Sequence, residues 1–179
     1  SAFPVLGTVP AELTQVENLY GVESDGTKAE KQNLLPLGFS ITYRKNRPFP
    51  HTLHLVPKTV VLGIGCKRGT EAESIRALIR ETLEQNQIFK ESICLIASID
   101  LKKDEEGIRI CAEELGVPFV TWSAEELEQV QSEDGFTESA FVRSVAGVGN
   151  VCERSALKGA GTSRLLIRKT AHNGVTVAA

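Results

Sequence analysis

Apolar residues from position 58 onward alternate between short continuous runs and helical stripes. The runs TVVLGI, SICLIAS and PFVTW are almost wholly apolar, as is typical of strands buried on both faces of a parallel sheet. Two helices are expected between these runs. One would bury Ile75, Leu78, Ile79, Thr82 and Leu83, and the other Ile108, Cys111, Ala112 and Leu115. This alternation predicts an α/β domain of three layers around a mixed, mainly parallel sheet.

Polar and turn-forming residues mark where the predicted helices begin and end. Three pairs have the spacing of a capping box at a helix start, namely Thr70–Glu73, Ser123–Glu126 and Asn150–Glu153. The third helix should run through Leu127 and Val130, and the last to about Ala160. Gly116 and Pro118 are expected to end the second helix. The final run, RLLIRKTAHNGVTVAA, predicts a C-terminal β-hairpin that turns at Asn173-Gly174.

Residues 1–57 have a different pattern. They are rich in turn formers, as in GVESDG, LLPLG and NRPFP, and contain only two short strand-like runs, FSITYR and TLHLV. A partial domain, an extended arm and an edge of the following sheet all remain open for this region. We therefore divide the chain into an N-terminal arm or partial domain, residues 1–57, and an α/β domain, residues 58–179.

Composition narrows the classes of function. A formal net charge of -3 does not favour nucleic acid as a partner, so an anionic ligand would be held by local clusters of cations. No apolar run is long enough for a bilayer, and the first residues lack the basic region of a signal peptide. The four cysteines show no paired spacing, so we expect reduced thiols and a cytoplasmic protein. Methionine is absent, which suggests part of a longer protein.

The segment TVVLGIGCKRGTEAESI carries a glycine-rich turn between a strand and a helix. Gly63, Gly65 and Gly69 resemble a dinucleotide-binding turn, and Asp100 follows the second strand, where such folds place a ribose ligand. The spacing departs from G-x-G-x-x-G, and Asp100 lies farther along the chain than usual. An NADP-binding domain is therefore the less favoured alternative.

A cysteine nucleophile and a metal site are two further alternatives. Lys67, Arg68 and the helix start would lower the pKa of the Cys66 thiol. The histidines are distant in sequence, so we favour a small residue beneath a tight turn. His51 and His54 would point to opposite faces of a strand, so we predict no metal site.

The favoured interpretation is a set of anion-binding loops. Backbone amides at the helix start would act together with Lys67 and Arg68. Lys102 and Lys103 follow the second strand, and the turn GVGN precedes another helix, so several loops would meet where parallel sheets bind ligands. The ligand should carry several carboxylates or phosphates. The residues assigned to substrate binding are Gly65, Cys66, Lys67, Arg68, Gly69, Thr70, Ser98, Lys102, Gly147, Gly149 and Asn150.

Four ordered motifs carry a resemblance to a known family. LGIGCKRGT, ASIDLKKDEEGI, GVGNVCERSAL and the ending LLIRK…GVTVA resemble the C-terminal domain of the CbiG family of cobalamin biosynthesis, which is shared with the CobE proteins. The resemblance covers residues 58–179, whereas residues 1–57 resemble the middle region of CbiG only loosely.

The resemblance implies a hydrolase that acts on cobalt-precorrin-5A. Such an enzyme opens the δ-lactone on ring A and releases acetaldehyde to give cobalt-precorrin-5B. The substrate is a tetrapyrrole fringed with acetates and propionates. It carries its own cobalt, so no separate cofactor is expected, and other enzymes of the pathway are the implied partners. A non-catalytic, CobE-like binding or carrier module is the alternative.

Lactone opening needs a base to deprotonate water and donors for the oxyanion. Asp100 and Glu153 are the carboxylates within the predicted loops, and both also suit structural roles. The amides of residues 65–70 and 149–151 are the candidate oxyanion donors.

Overall fold

The computed structural model describes the backbone of residues 3–6, 19–22 and 37–179, and side chains from residue 38 onward. The chain forms two compact units, Ser1–Pro57 and Lys58–Ala179. Each unit has a sheet of its own.

The described residues of the first unit form four parallel strands. They are β1 (Phe3–Leu6), β2 (Leu19–Val22), β3 (Leu37–Ile41) and β4 (His51–Leu55). Their order across the sheet is β2-β1-β3-β4, and the sequence runs FSITYR and TLHLV contribute to β3 and β4. Because these strands pair with one another in a separate sheet, the alternative that they form an edge of the following sheet is wrong.

The second unit is built on a five-stranded mixed sheet. Its strands are β5 (Val60–Cys66), β6 (Ile93–Ile99), β7 (Phe119–Trp122), β8 (Thr170–His172) and β9 (Val175–Ala178). Its helices are α1 (Ala72–Gln85), α2 (Glu106–Leu115), α3 (Ala124–Glu128), α4 (Ala140–Ala146) and α5 (Cys152–Ala160). The strand order is β7-β6-β5-β9-β8, with β5, β6 and β7 parallel and β9 antiparallel to both neighbours. The predicted mixed sheet and C-terminal hairpin are confirmed.

Glycine allows α5 to approach the central strand closely. A Cβ at Gly63 would overlap the carbonyl oxygen of Cys152 in α5. Because side chains alternate along a strand, Leu62 and Ile64 point to the opposite face, and both are fully buried. The helices α1 and α2 pack against each other and against strands of the sheet, so they cover this second face. The sheet therefore lies between two helical layers.

The buried face of α1 agrees with the sequence, but its predicted capping box does not form. Ile75, Leu78, Ile79, Thr82 and Leu83 are all buried, as expected. The helix α1, however, begins at Ala72 after Glu71, with no side-chain cap. The hydroxyl of Thr70 instead donates to the carbonyl of Lys67 at 2.7 Å, and Glu73 pairs with Arg76. Thr70 lies too far back in the turn to form a capping box with Glu73.

The other boundary predictions fare better. Ser123 and Glu126 form the capping box before α3, although α3 ends at Glu128 and leaves Val130 outside. Gly116 ends α2 with a φ of 63°. The hairpin turns at Asn173 and Gly174, which have φ values of 48° and 79°. The run RLLIRK is not a strand. Within it, Ile167 exchanges backbone hydrogen bonds with Ala179 at 2.8 and 3.1 Å.

Candidate functional site

Three loops of the second unit meet at one edge of its sheet. Because β5, β6 and β7 are parallel, the loops that follow them lie at the shared carboxyl edge. The helix α5 runs back along β5. Near the start of α5, a Cβ added at Gly65 of β5 would lie 3.9 Å from the Cβ of Val151. Near the end of α5, a Cβ added at Gly159 would lie 2.8 Å from the side chain of Val61 in β5. The turn before α5 therefore reaches the same edge. We call residues 67–71, 100–105 and 147–151 the candidate edge.

Glu105 joins two of these loops and was not among the predicted site residues. Its Oε1 accepts a hydrogen bond from the Gly69 amide at 2.6 Å, and its Oε2 accepts one from Lys102 Nζ at 3.0 Å. The side chains of Lys102 and Glu105 are only 15% and 7% exposed. Gly69 and Lys102 were expected to bind an external anion, but they already hold an internal carboxylate. The i, i+3 spacing of Lys102 and Glu105 was the available sequence signal.

The carboxyl group of Glu105 is held in its charged form. Burial raises its pKa, but the hydrogen bonds from Lys102 and from the Gly69 amide together lower the pKa by a larger amount. The net result is a pKa below the ordinary value of 4.5. The carboxylate of Glu105 therefore joins the two loops in its charged form at neutral pH, through the Gly69 amide.

Lys67, Arg68 and Lys103 are the exposed cations of the candidate edge. The amide of Lys67 donates to the carbonyl of Gly174 at 3.1 Å, and a Cβ at Gly174 would lie 2.9 Å from Lys67 Cε. The aliphatic stem of Lys67 thus follows the hairpin turn and leaves its ammonium group at the surface. These cations, rather than Lys102, are available to an anionic ligand.

Cys66 lies among Lys102, Glu105 and Thr70. Burial raises the pKa of the half-buried thiol, and Glu105 raises it too, whereas Lys102 and a hydrogen bond with Thr70 lower it. The net pKa lies above 9.0, so the thiol is protonated at neutral pH. The raised pKa and the partial burial of Cys66 disfavour the nucleophile alternative and agree with a small residue beneath a turn.

Several of the predicted binding residues have structural contacts. Ser98 is fully buried, and its hydroxyl donates to the carbonyl of Ile64 at 2.6 Å. The carbonyl of Gly65 accepts a hydrogen bond from Thr176 at 3.2 Å. Gly147 ends α4 with a φ of 79°. A Cβ at Gly149 would overlap the carboxylate of Glu138, and Gly149 is buried. Ser98 and Gly149 therefore shape the edge from beneath its surface, whereas Gly147 is exposed and ends a helix.

Glu153 is the centre of a buried network at the start of α5. Its carboxylate accepts hydrogen bonds from the Thr137 amide at 2.8 Å, the Thr137 hydroxyl at 3.1 Å and the Lys169 amide at 2.9 Å. Asn150 Nδ2 adds a hydrogen bond at 2.7 Å, and Arg168 Nε lies 3.5 Å away. Asn150 Oδ1 in turn accepts from the Glu153 amide at 2.9 Å. The predicted capping box of Asn150 and Glu153 does not form, because α5 begins at Cys152 after Val151 without a side-chain cap and the carboxylate binds the Asn150 side chain instead of its backbone amide. With a fully buried side chain, Glu153 suits this structural network better than the role of a general base.

Asp100 is the predicted catalytic carboxylate that stays exposed at the edge. It opens a short 3-10 turn, Asp100–Lys102, directly after β6. Its Oδ1 accepts a hydrogen bond from the hydroxyl of Thr121 in β7 at 2.6 Å. Thr121 therefore orients this carboxylate, a role that its position in an apolar run did not reveal.

The alternatives of a dinucleotide, a metal and a membrane gain no support. The first glycine of the turn, Gly63, is buried against α5 and cannot approach a phosphate. Among the residues that the structure describes, no group of three or more histidine, cysteine or acidic side chains could hold a metal ion. Within the same residues, no helix has both the length and the apolar character needed to cross a membrane.

Comparison with known proteins places the chain in a family. The model of the family described as Cobalamin synthesis G C-terminus matches residues 60–179. The chain belongs to this family. The predicted resemblance to CbiG is thereby confirmed, and the matched residues include all three loops of the candidate edge.

Curated relatives of this family include both hydrolases and CobE. The chain is 35% identical over 124 residues to the cobalt-precorrin-5A hydrolase of Priestia megaterium, covering 68% of this chain and 32% of that protein. For the hydrolase of Salmonella typhimurium the identity is 40% over 104 residues, covering 58% and 29%. The chain thus spans about a third of the length of these hydrolases. Protein CobE of Sinorhizobium sp is 34% identical over 108 residues, covering 60% of this chain and 70% of CobE.

Solved structures of the family share the fold. The crystal structure of CobE, a protein from the cobalamin (vitamin B12) biosynthetic pathway, has a TM-score of 0.58 at 30% identity, covering 68% of this chain and 89% of that chain. The cobalamin biosynthesis protein chiG of Agrobacterium tumefaciens has a TM-score of 0.51 at 30% identity, covering 66% and 94%. A cobalamin biosynthesis protein G homolog of Sulfolobus solfataricus covers 99% of this chain and 50% of that chain, with a TM-score of 0.55 at 23% identity.

Proposed function

We propose that this chain is the substrate-binding C-terminal part of a cobalt-precorrin-5A hydrolase of cobalamin biosynthesis. The observation that carries the proposal is the family match over residues 60–179, supported by 35% and 40% identity to two hydrolases of that name. The substrate is then a cobalt-containing ring with acidic side arms, and its metal arrives with it.

The exposed cations of the candidate edge are the groups that would hold these side arms. Lys67 and Arg68 follow β5, and Lys103 follows β6, so positive charge stands on two adjacent loops of one edge. Lys102 contributes less because Glu105 neutralises it. Ion pairs between exposed groups are individually weak, so several contacts to one ligand would have to act together.

Asp100 is the residue that we assign as general base. The reaction adds water to the lactone carbonyl, breaks the bond between the acyl carbon and the ring oxygen, and leads to loss of acetaldehyde. An exposed carboxylate oriented by Thr121 could take the proton from the attacking water. The charge that develops on the carbonyl oxygen would face the cations of the same edge.

The test is to incubate the full chain with cobalt-precorrin-5A and measure acetaldehyde, with binding followed by absorbance. The wild-type chain should bind the substrate and release acetaldehyde. In Asp100→Asn, we expect acetaldehyde formation to fall at least about 100-fold, since general base catalysis contributes on that order. Binding should change less than about twofold, because the amide keeps the size of the side chain. Unchanged turnover in this variant would reject Asp100 as the base.

A CobE-like binding module is the second candidate. The matched segment makes up 70% of the CobE of Sinorhizobium sp, and the solved CobE is covered over 89% of its chain. A domain of this kind therefore makes up most of CobE, which does not need the remaining part of the hydrolase chain to exist as a protein. Tight binding of cobalt-precorrin-5A without acetaldehyde would favour this second function.

A further inference from the structure

We propose that the outer face of α4, formed by Phe141 and Val145, is a platform on which the flat ring of the corrinoid substrate lies. This inference rests on the proposed function and specifies how the same edge recognises the ring itself. Phe141 is 75% exposed and Val145 is 64% exposed. Because the two residues are four positions apart in a helix, their side chains lie next to each other on one face.

The helix α4 is held firmly at the candidate edge. Its inner residues Val142 and Ala146 pack, together with Trp122, on the buried cluster of Ile99, Leu127, Val148 and Val151. This cluster includes the last residue of β6 and two residues of the turn before α5. The helix that carries the platform therefore packs on the end of β6 and on the turn before α5, which is one of the loops of the candidate edge.

Polar contacts fix the start and the middle of α4. Ser139 caps its start by accepting a hydrogen bond from the Val142 amide at 3.3 Å, and the Ser139 amide donates to the carbonyl of Gly149 at 2.8 Å. Arg143 forms ion pairs with Glu128 at 3.2 Å and Glu138 at 3.1 Å. The apolar face is thus presented by a supported helix, so its exposure is a property of the folded domain.

The distribution of exposed apolar residues sets this edge apart. Within the described second unit, the large hydrophobic side chains that are strongly exposed are Leu101, Phe141 and Val145. Leu101 lies in the turn after β6, between Asp100 and Lys102, so all three belong to the candidate edge or to α4 beside it. Single exposed apolar residues scattered over a surface need no explanation, but a concentration at one edge indicates a binding surface.

The chemistry around the platform favours a ring with an acidic fringe as its occupant. Leu101, Phe141 and Val145 offer apolar contact, and Lys67, Arg68 and Lys103 offer positive charge on the loops that follow β5 and β6, whereas Arg143 of α4 is already paired with Glu128 and Glu138. A corrinoid combines an apolar ring face with carboxylates around its rim, so one ligand can satisfy both surfaces. An apolar protein surface would leave the cations without partners.

The inference is tested by titrating cobyrinic acid, a cobalt corrinoid with free carboxylate arms, into the full chain. We expect the double variant Phe141→Ala/Val145→Ala to bind about tenfold more weakly, since the lost apolar contact corresponds to about that factor. The matched control is Leu53→Ala/Leu55→Ala, which removes two exposed leucines of β4, 62% and 48% exposed. This control should bind within about twofold of the wild type. Far-UV circular dichroism verifies folding.

Ionic strength separates the platform from the cations. The affinity ratio between wild type and the platform variant should change little with added salt, whereas the ratio for Lys67→Ala/Arg68→Ala should shrink because salt screens charges. If the double variant does not fold, Phe141→Gln alone should still bind more weakly than the wild type. Wild-type affinity in a folded platform variant would overturn this inference and leave the proposed function standing, provided that the cation variant binds more weakly. Absence of binding by the wild type would overturn both.

Discussion

Three carboxylates of the second unit differ in their partners at the residue scale. Glu105 and Glu153 bind the protein's own amides and cations, whereas Asp100 accepts a hydrogen bond from Thr121 and remains exposed. The residue spacing indicated which loops carry carboxylates. It could not indicate which of them turn inward, because their backbone amide donors, those of Gly69, Thr137 and Lys169, lie 16 to 36 positions away in the sequence.

Replacement of Glu105 by glutamine tests the contact between the loops. The pKa of Glu105 is lower in the folded protein than in the unfolded chain. Its charged form therefore stabilises the fold at a pH above the pKa of the unfolded chain, and this contribution is lost as the pH falls through the pKa of the folded protein. We therefore expect Glu105→Gln to lower the free energy of unfolding by about 1–2 kcal/mol at neutral pH. The difference from wild type should diminish as the pH drops below about 4.5. Urea unfolding at several pH values measures it.

Glu106→Gln is the matched control for this experiment. Glu106 is the next residue and its side chain is exposed, so the same change should alter stability by less than about 0.5 kcal/mol. A deficit in Glu105→Gln that stayed constant or grew towards acidic pH would contradict the ionised contact.

Replacement of Glu153 by alanine separates a structural role from a catalytic one. The change leaves buried donors of Thr137, Asn150 and Lys169 without an acceptor. We expect a loss of about 3 kcal/mol in the free energy of unfolding, measured with urea. As a control, Glu113→Ala at an exposed helix position should lower the free energy of unfolding by less than about 0.5 kcal/mol. A variant with wild-type stability but no acetaldehyde release would restore Glu153 as the catalytic base.

At the scale of elements, much of the second unit could be predicted from its pattern. The periodicity of apolar residues gave the strands β5 to β7 and the buried face of α1, because burial on a sheet repeats along each element. The failures were local. Thr70 had cap spacing but bonds to Lys67. The run RLLIRK resembles a strand in its pattern, and Ile167 is buried, but its backbone forms hydrogen bonds to another backbone segment only at Leu166 and Ile167, both with Ala179.

The close contact between β5 and α5 depends on the glycine at position 63. A Cβ there would overlap the backbone of Cys152, which cannot move aside like a flexible side chain. We expect Gly63→Ala to lower the free energy of unfolding by at least about 3 kcal/mol. Gly161→Ala controls for the substitution itself, since Gly161 has a φ of 63° but open space around its Cα, and should cost about 1–2 kcal/mol. Thermal or urea unfolding compares the two. Equal losses would show that α5 is not packed this closely.

At the scale of the whole molecule, family membership and the geometry of the candidate edge point in the same direction. The matched region, residues 60–179, coincides with most of the second unit, which carries all of the proposed site. The sequence predicted that cations gather at this edge, because loops after parallel strands must lie together. It did not predict that Glu105 would form an ion pair with Lys102, since that contact depends on how two loops fold against each other. Lys67 and Arg68 are therefore the main cations left to contact an anionic ligand at this edge.

The most direct measurement is the affinity of Lys67→Ala/Arg68→Ala for cobalt-precorrin-5A, followed by absorbance at low ionic strength. We predict binding about tenfold weaker or more, because two cations of the proposed grip are lost. The control Lys58→Ala/Lys90→Ala removes the same charge from exposed residues that precede β5 and β6, at the opposite edge of the sheet, and should bind within about twofold of the wild type. Equal affinities for the two double variants would contradict the central claim that the carboxyl edge holds the acid arms of the ring.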